Sequence, residues 1–311
     1  MTLRVALVGA VGTTEVALRA LAECGHAPVL LFTLPLEKKG RHSDFVDLAP
    51  LAAELGVPLV RVDDVNAPGT VAELREAAPD LLLVIGWSRI CGAEFRAVAR
   101  LGTLGYHPTL LPRMRGRAAL AWTILLDLER SGGTLFWMDE GVDSGPIAAQ
   151  QAFDIPSGTT LSGLLDLQLS ALGEMIPALL AQLAAGARPS RPQDHGEATY
   201  LAVRRPADGE IDWTRSAEEI ERLVRAVSRP YPGAYSKLGD REVTVWSARI
   251  AHYPRWFAST GQVFTYEDGA PVVRCGAGTD LVLTDYEFRP APGGEPPPAA
   301  IRGQPRFRMS R

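Results

Sequence analysis

The chain has 311 residues, of which 46% are hydrophobic and 22% are charged, which is enough for a sizeable core and indicates two domains. Its formal net charge is −4, so the bulk composition does not indicate a nucleic-acid-binding protein. The three cysteines, Cys24, Cys91 and Cys275, are scattered along the chain. This pattern fits reduced thiols in a cytoplasmic protein better than a disulfide framework or a zinc site.

The first half of the chain alternates short apolar runs with segments of helical character. The predicted strands are residues 3–8, 27–33, 58–62 and 81–85, and the predicted helices are residues 13–24, 45–55, 70–77 and 92–99. Strands that alternate with helices predict an α/β fold with a doubly wound, mostly parallel sheet. The N-terminal run is typical of a first strand rather than a signal peptide. No run is long enough to span a membrane, so we expect no membrane partner.

One stretch, residues 102–150, carries the polar residues of greatest interest. An apolar strand ends on His107, and a loop and a helix follow. A second strand, residues 134–137, runs into the acidic loop 138–145. A histidine at one strand end and carboxylates after the next strand can meet across neighbouring strands of a parallel sheet. That sheet edge is where open α/β proteins build their sites.

The second half of the chain has a different pattern. A long helix of mostly Leu and Ala is predicted for residues 160–184, and a shorter helix for residues 218–227. The short segments that follow predict a small β-barrel because they are separated by Gly and Asp turns. Its predicted strands are residues 243–250, 260–266, 271–275 and 281–287.

Composition also marks the boundaries of these regions. Residues 186–192, GARPSRP, have the composition of a linker. Residues 295–298 and the Arg-rich tail 302–311 are typical of poorly ordered segments. We therefore predict a first domain at residues 1–188, a linker at 189–206, and a C-terminal domain at 207–311 with a disordered tail.

Two motifs resemble those of the folate-dependent formyltransferases. The first is HPTLLP, which starts at His107 and is followed by Arg115, and the second is MDEGVDSG, which starts at Met138. That family includes methionyl-tRNA formyltransferase, the amino-sugar N-formyltransferases and glycinamide ribonucleotide formyltransferase. The resemblance implies a Rossmann-like catalytic domain followed by a small OB-like barrel. Residues 208–213 and 229–235 resemble the start of the family's C-terminal region.

The resemblance implies transfer of a formyl group from 10-formyltetrahydrofolate to a primary amine. In such acyl transfer the amine loses a proton, an oxyanion forms, and the leaving nitrogen gains a proton. His107 would stabilise the oxyanion or relay protons, and Asp143 would hold the imidazole and help to take the amine's proton. The family's usual Asn, two residues before the histidine, is Gly105 here. Loss of such a donor typically lowers the rate about 100- to 1000-fold, unless a backbone N–H, a water or the hydroxyl of Thr109 or Tyr106 replaces it.

By the same resemblance, a folate pocket would lie between two loops. Its cofactor-binding residues would be Gly86, Trp87, Ser88, Arg89 and Ile90 in one loop and Met138, Asp139, Glu140, Gly141 and Val142 in the other. Backbone groups of such loops can pair with the pterin edge while apolar side chains cover its faces. The candidate substrate-binding residues are Gly9, Val11, Tyr106, Arg113 and Arg115. The two arginines could bind substrate phosphates or could be surface charge.

Other kinds of site receive less support from the sequence. The segment from Gly86 to Ile90 lacks the second glycine of a GxSxG nucleophile elbow. The turn after the first strand is not GxGxxG, and no acidic residue ends the second strand, so a dinucleotide site is not indicated. The His and Cys residues show no metal-ligand spacing, and we expect no metal. Alone, His107 would more often be a buried structural histidine, and the acidic loop could be a solvated turn.

The sequence also bears on the acceptor. The segment GAVGT after the first strand, together with RGRA and Trp122, is closer to the amino-sugar enzymes than to the methionyl-tRNA enzymes. We therefore expect a nucleotide-linked amino sugar as the acceptor, with methionyl-tRNA as the alternative. A third alternative is a folate-binding protein that has lost transfer activity or hydrolyses its cofactor. The sequence is compatible with a homodimer.

Overall fold

The computed structural model describes residues 2–41, 43–289 and 300–308. The chain divides into two compact units. Unit 1 comprises Met1–Ala119, Glu129–Ile155 and Leu165–Ala202, and unit 2 comprises Leu120–Leu128, Pro156–Leu164 and Val203–Arg311. The chain therefore leaves unit 1 and returns to it twice before it leaves for the last time at residue 203.

The predicted strands and helices of the first hundred residues are all present, with bounds that differ by a few residues. The strands of unit 1 are β1 (Val5–Val8), β2 (Leu30–Thr33), β3 (Leu59–Arg61), β4 (Leu81–Val84), β5 (Thr103–His107), β6 (Arg115–Gly116), β7 (Arg130–Trp137), β8 (Ile147–Asp154) and β9 (Tyr200–Leu201). Those of unit 2 are β10 (Ala234–Leu238), β11 (Arg241–Ala251), β12 (Val263–Glu267), β13 (Ala270–Arg274) and β14 (Asp280–Phe288). The α-helices are α1 (Gly12–Glu23), α2 (Ala49–Glu54), α3 (Pro68–Ala77), α4 (Ala93–Arg96), α5 (Ala119–Leu125), α6 (Leu161–Ala184) and α7 (Ala217–Val227).

Unit 1 is built on a seven-stranded sheet in the order β3-β2-β1-β4-β5-β7-β8. The strands β1 to β5 are parallel to one another. Strands β1, β2 and β4 are buried at every position, as expected when helices cover both faces of a parallel sheet. The chain moves outward from β1 to β3 and then crosses back to β4, so the ends of β1 and β4 form the switch point of the sheet. The predicted doubly wound, mostly parallel sheet is confirmed.

The two faces of this sheet belong to separate cores. Leu7 and Leu104 lie in the core that α1 and α6 cover, whereas Val84 lies in the core that α3 and α4 cover. Successive side chains of a strand alternate between faces. Gly105 and His107 therefore face the side opposite to Leu104.

The pairing of β5 differs from the prediction. Strands β5 and β7 are antiparallel, with His107 opposite Thr134 and Leu104 opposite Trp137, and β7 continues antiparallel into β8. The expectation that His107 and the acidic loop follow neighbouring parallel strands is therefore wrong. Strand β8, with the sequence IAAQQAFD, is missing from the prediction because Ala and Gln have little intrinsic preference for strands.

Helix α6 corrects the expectation that no segment could span a membrane. Its 24 residues are long and apolar enough to do so by length and composition. In the structure, 44% of its most apolar window is buried inside the protein. Leu172, Ile176, Leu179 and Leu183 pack in the core of the sheet. This packing is that of a core helix in a globular unit.

Residues 189–206, predicted as a linker, belong largely to unit 1. The Pro189 carbonyl accepts a hydrogen bond of 2.8 Å from Trp137 Nε1. Arg191 exchanges two backbone hydrogen bonds with Ile147, and β9 pairs in parallel with β6. Unit 1 therefore extends beyond the predicted domain boundary, because this segment is held by pairing that its Pro-rich composition does not reveal.

Unit 2 is built on a five-stranded antiparallel sheet in the order β10-β11-β14-β13-β12. A short C-terminal segment, residues 305–308, pairs beside both edge strands. The Arg308 N–H donates to the Lys237 carbonyl of β10 (2.7 Å), and the Phe307 N–H donates to the Gly261 carbonyl just before β12 (2.8 Å). This segment closes the sheet into a small barrel, which confirms the architecture predicted for the second half.

The tail predicted as disordered is structured as far as residue 308. Phe307 is 1% exposed and stacks on Trp213 with ring centroids 4.8 Å apart. In the sequence Arg306-Phe307-Arg308 the apolar residue points inward between two arginines, which is the alternation of a strand. The prediction of disorder is wrong for residues 302–308, because it relied on the arginine content of the tail and not on this short alternation. Residues 295–298, also predicted as poorly ordered, lie outside the described residues.

If residues 305–308 close the barrel, Phe307→Ala should destabilise unit 2. Truncation of a buried Phe typically costs about 3–5 kcal/mol, which urea unfolding followed by circular dichroism would measure. Phe257→Ala is the matched control because Phe257 is 98% exposed, and exposed substitutions usually change stability by less than about 0.5 kcal/mol. Equal effects of the two substitutions would contradict the closed barrel.

Candidate active site

The candidate site lies at the end of β5, where three segments of unit 1 meet. His107 is the last residue of β5 and is 5% exposed. The loop that follows β5 supplies Met114 and Gly116, and the loop between β7 and β8 supplies Asp143. The two sequence motifs are therefore brought together in space.

The imidazole of His107 is fixed by one short hydrogen bond. Its Nε2 lies 2.7 Å from the Met114 carbonyl oxygen. A carbonyl can only accept a hydrogen bond, so Nε2 carries the proton. In the neutral ring, Nδ1 then holds the lone pair. It is Nδ1 that lies 3.5 Å from Asp143 Oδ2.

Asp143 reaches His107 in spite of the antiparallel pairing. The β7–β8 loop starts opposite Leu104, about 10 Å along β5 from His107 at ordinary strand rise, so it must fold back along the sheet. The Gly116 N–H donates to Asp143 Oδ2 at 2.8 Å and fixes the carboxylate. The predicted proximity of His107 and Asp143 is thus present, but the return of the loop causes it rather than parallel strand ends.

Both residues that contact His107 have strained backbones. Met114 has a φ of 63° and Asp143 a φ of 52°, in the left-handed region that costs a residue other than glycine about 1–3 kcal/mol. Such conformations persist only when the surrounding structure enforces them. Here the strain turns the Met114 carbonyl and the Asp143 carboxylate toward the two nitrogens of one ring.

This arrangement can move a proton. Nδ1 can accept one from a bound donor, and the carboxylate of Asp143 stabilises the imidazolium that results. The same Nδ1–H can then donate to a developing anion or to a leaving group. His107 and Asp143 therefore form a unit suited to general acid–base chemistry.

There is no room for a side chain at position 105, where the family usually has an asparagine. A Cβ on Gly105 would lie 2.8 Å from Phe136 Cζ and 3.2 Å from Met138 Cγ. Phe136 is 4% exposed and packs with Leu111 and Ile147. The space beside Gly105 is thus filled by apolar side chains, and no side-chain donor comes from it.

The two hydroxyls considered as substitutes are engaged elsewhere. Thr109 Oγ1 donates to the Arg113 carbonyl at 2.9 Å. Tyr106 lies on the opposite face of the sheet, where its hydroxyl donates to Gln168 Oε1 at 2.5 Å, and burial raises the pKa of its phenol. The structure therefore does not bring Tyr106 to His107, and its assignment as a substrate-binding residue stays a prediction.

The two candidate arginines of the β5–α5 loop differ in environment. The side chain of Arg113 is 70% exposed and pairs with Glu197 at 3.0 Å. Arg115 is 2% exposed, and its guanidinium donates to Gln193, His195 and Tyr200. Arg113 is accessible to a substrate, whereas the guanidinium of Arg115 is engaged by the protein. Substrate binding by either arginine stays a prediction.

The two predicted folate loops share one core. Trp87 and Met138 both pack against the core on the His107 face of the sheet, and the Nε1 of Trp87 is buried without a partner among the described residues. Ile90 and Val142 are 80% and 60% exposed. Two apolar loop tips and a buried unpaired donor on one face are compatible with an aromatic, polar-edged ligand.

Other residues of the two loops form contacts that stabilise the loop conformations. Asp139 Oδ1 accepts from the Gly141 N–H and from Ser144 Oγ, and Arg89 pairs with Asp63 at 3.6 Å. Gly86 has a φ of 73°. Ser88 and Glu140 are exposed.

Gly9 and Val11 lie at the switch point, where both are buried. A Cβ on Gly9 would lie 1.9 Å from the Ile85 carbonyl oxygen, so the close approach of the ends of β1 and β4 accounts for this glycine. Val11 precedes α1 at its N-terminus. The structure places both beside the first folate loop rather than beside His107.

Several groups at the site are missing from the sequence analysis. Met114 and Gly116 act through backbone atoms, which composition does not reveal, and Gln193 and His195 lie in the predicted linker. Burial raises the pKa of the Cys91 thiol to about 12, so this cysteine is unsuited to nucleophilic chemistry. In the described ranges, no group of three or more His, Cys, Asp or Glu could hold a metal ion.

Comparisons with known proteins agree with this fold. A family model described as formyl transferase matches residues 40–178, and a model of the formyl transferase C-terminal domain matches residues 204–291. The structure resembles HypX from Aquifex aeolicus in complex with tetrahydrofolic acid, with a TM-score of 0.65 and 19% identity. That match covers 92% of this chain and 44% of HypX, so the chain spans less than half of that protein's length.

Two N-formyltransferases match over nearly their whole length. One is the N-formyltransferase from Helicobacter canadensis in complex with folinic acid and dTDP-3-aminofucose, with a TM-score of 0.67 and 15% identity over 91% of this chain and 99% of that chain. The other is WlaRD, a sugar 3N-formyl transferase in the presence of dTDP and 5-N-formyl-THF, with a TM-score of 0.62 and 14% identity over 91% and 97%. At these identities, the likeness shows a shared fold.

The closed space beside Gly105 can be tested by substitution. Gly105→Ala should lower the free energy of unfolding by about 1–3 kcal/mol, because overpacking a filled core has a cost of that size. Adding Phe136→Leu should recover part of the loss, and a double-mutant cycle in urea would measure the coupling. Gly173→Ala in α6 is the control, since its Cβ would make only an ordinary contact of 3.6 Å. Additive effects of the first two substitutions would contradict the proposed contact.

Proposed function

Since this chain belongs to the formyl transferase family, we propose that it transfers a formyl group from 10-formyltetrahydrofolate to the primary amine of a nucleotide-linked amino sugar. The observation that carries the proposal is the placement of His107 Nδ1 3.5 Å from Asp143 Oδ2. The ring is held in the tautomer that can accept a proton at Nδ1.

In the proposed reaction, the amine nitrogen attacks the formyl carbon, and the bond from that carbon to the folate nitrogen breaks. The attacking amine must lose one proton, and the folate nitrogen must gain one. His107 takes the first proton at Nδ1 and delivers a proton to the leaving nitrogen. Asp143 stabilises the imidazolium between these steps, so that one pair of side chains serves both transfers.

The oxyanion of the tetrahedral intermediate needs a donor. The space beside Gly105 is filled by Phe136 and Met138, so a side-chain amide does not supply it from that position. The N–H that forms at Nδ1 of His107 when the amine is deprotonated is a charged and therefore strong donor, which the oxyanion would share with Asp143 Oδ2. His107 thus carries a larger share of the stabilisation than it would beside an asparagine.

Features of unit 1 support a folate donor. Trp87 and Met138 offer apolar surface on the His107 face, and Trp87 Nε1 offers a buried hydrogen-bond donor. The exposed side chains of Ile90 and Val142 are suited to covering the faces of an aromatic ring. The structurally similar proteins with bound tetrahydrofolic acid, folinic acid and 5-N-formyl-THF lend this choice of ligand support.

The choice of acceptor rests on length and charge. The N-formyltransferases found with dTDP-3-aminofucose and with dTDP match over 99% and 97% of their chains, and the net charge of −4 offers no general attraction for tRNA. Arg113 is exposed in the β5–α5 loop and is a candidate to bind a sugar-nucleotide phosphate. Methionyl-tRNA remains the alternative acceptor, and we propose that the protein acts in the cytoplasm.

The filled space beside Gly105 favours one further candidate, a folate-binding protein with weak or no transfer. Without an asparagine at that position, an oxyanion donor worth about 100- to 1000-fold in rate is absent. Such a protein would still bind the folate between its two loops. Transfer and binding must therefore be measured separately.

The first experiment follows tetrahydrofolate release from 10-formyltetrahydrofolate, with and without a panel of nucleotide-linked amino sugars. We expect release that requires an amine and that falls about 100-fold or more in His107→Ala, the usual size of a general acid–base contribution. His252→Ala is the matched control, because His252 is exposed in unit 2 and its loss should leave the rate unchanged.

Other outcomes identify the alternatives. Release without any amine would indicate a hydrolase, and folate binding by calorimetry without release would indicate a binding protein. Affinity for methionyl-tRNA that falls steeply with salt would indicate the tRNA enzyme. Absence of folate binding would overturn the proposal as a whole.

A further inference from the structure

Gln193 makes a complete set of hydrogen bonds at the candidate site. Its Oε1 accepts from Arg115 Nε at 3.2 Å and from Arg115 Nη2 at 2.7 Å. Its Nε2 donates to the Asp143 carbonyl at 2.9 Å and to the Gly145 carbonyl at 2.6 Å. The side chain is 6% exposed, so these partners take the place of water. One amide thus connects the β5–α5 loop to the β7–β8 loop.

Gln193 restrains the β7–β8 loop, whose backbone has an uncommon conformation at Asp143. Asp143 has a φ of 52°, in the left-handed region, which is uncommon outside glycine although Asp tolerates it better than most residues. The two carbonyls that accept from Gln193 lie on either side of Ser144, so they fix the backbone directly after Asp143. A Cβ on Gly145 would lie 1.7 Å from the Trp137 carbonyl oxygen. The loop therefore returns along the sheet in close contact with β7.

Arg115, which donates to Gln193, is itself held by several hydrogen bonds. Arg115 is 2% exposed, and it also donates to Tyr200 Oη at 3.2 Å and to His195 Nδ1 at 3.1 Å. Its own N–H donates to the Thr199 carbonyl at 2.9 Å. A buried guanidinium is stable only when its donors are engaged, and here a single segment, residues 193–200, supplies the partners named. Arg115 is thus a fixed anchor for Gln193.

The carboxylate of Asp143 is held from the same loop. The Gly116 N–H, next to Arg115 in the chain, donates to Asp143 Oδ2. The Asp143 backbone is held by Gln193 and its side chain by Gly116, and both depend on the position of Arg115. Movement of the backbone by about 1 Å can lower a rate about 100-fold when it misplaces a reacting group.

We propose that Gln193 is a positioning residue that, anchored by Arg115, holds the backbone of Asp143 so that its carboxylate faces Nδ1 of His107. This inference rests on the proposed function for its kinetic consequences, but the restraint on the loop does not. Gln193 acts through Asp143 and not on the formyl donor or the amine. Its loss should therefore change turnover rather than binding.

The test compares Gln193→Ala in two backgrounds, the natural sequence and Asp143→Ala. In the natural background kcat should fall about 10- to 100-fold, with KM for the folate changed by less than about twofold. In the Asp143→Ala background the same substitution should have almost no further effect, because the group it positions is gone. Loss by the same factor in both backgrounds, or a rise in KM alone, would overturn the proposal.

Gln193→Glu is a second variant, which tests the same role in case Gln193→Ala does not fold. A glutamate keeps oxygen acceptors for Arg115 but, when ionised, has no donor for the Asp143 and Gly145 carbonyls. It should therefore lower kcat like Gln193→Ala, and wild-type kcat would overturn the proposal. Gln151→Ala is the control, since the side-chain amide of that glutamine donates to Glu174 on α6, away from His107, and its kcat should match wild type.

A second measurement separates this inference from the proposed function. Amide hydrogen exchange of the peptide spanning residues 138–146 needs no substrate and reports opening of the loop. Gln193→Ala should speed exchange there, while Gln151→Ala should not, and unchanged exchange would overturn the positioning role. If exchange responds but the wild-type protein transfers no formyl group, the proposed function fails and the loop restraint stands.

Discussion

The hydrogen bond from His107 Nε2 to the Met114 carbonyl determines what the site can do. It places the proton of the neutral ring on the nitrogen that faces the loop, and it leaves the lone pair on the nitrogen that faces Asp143. If Met114 had an ordinary backbone conformation, its carbonyl would point elsewhere and the tautomer would be free to change. The backbone conformation of Met114 is therefore linked directly to the tautomer of the neutral His107 ring.

The apolar contact between Phe136 and Gly105 affects which groups are available to stabilise a charge near His107. Phe136 occupies the space beside Gly105 with the edge of a buried ring, so the surroundings of His107 are less polar on that side. A charge that forms near His107 has fewer competing dipoles there, and the imidazolium acts in a medium of low dielectric constant. In the reaction that we propose, His107 and Asp143 would then supply most of the electrostatic stabilisation.

The sequence predicts local features well where residue pattern and structure share a cause. Mainly apolar runs are typical of buried parallel strands, and β1, β2 and β4 follow that rule. Composition fails where pairing partners determine the conformation. Residues 147–154 form a strand because they pair with β7. Phe307 has a defined position because it stacks on Trp213 and its segment forms hydrogen bonds at both edges of the sheet.

The site was predicted in part for the same reason. His107 and Asp143 stand out by side-chain chemistry and motif, whereas Met114 and Gly116 contribute a carbonyl and an N–H that every residue type possesses. Gln193 lies among prolines and glycines that resemble a connector, and only its four hydrogen bonds distinguish it. The antiparallel order of β5 and β7 depends on tertiary contacts that no local pattern records.

The path of the chain between its two units has an evolutionary consequence. Residues 120–128 and 156–164 belong to unit 2 although they precede the last segment of unit 1 in the sequence. A single genetic crossover near residue 203 would therefore not exchange one intact unit for another, because two of its pieces would remain behind. An incoming C-terminal half would make the contacts of unit 2 only if it packed against residues 120–128 and 156–164 of the resident chain.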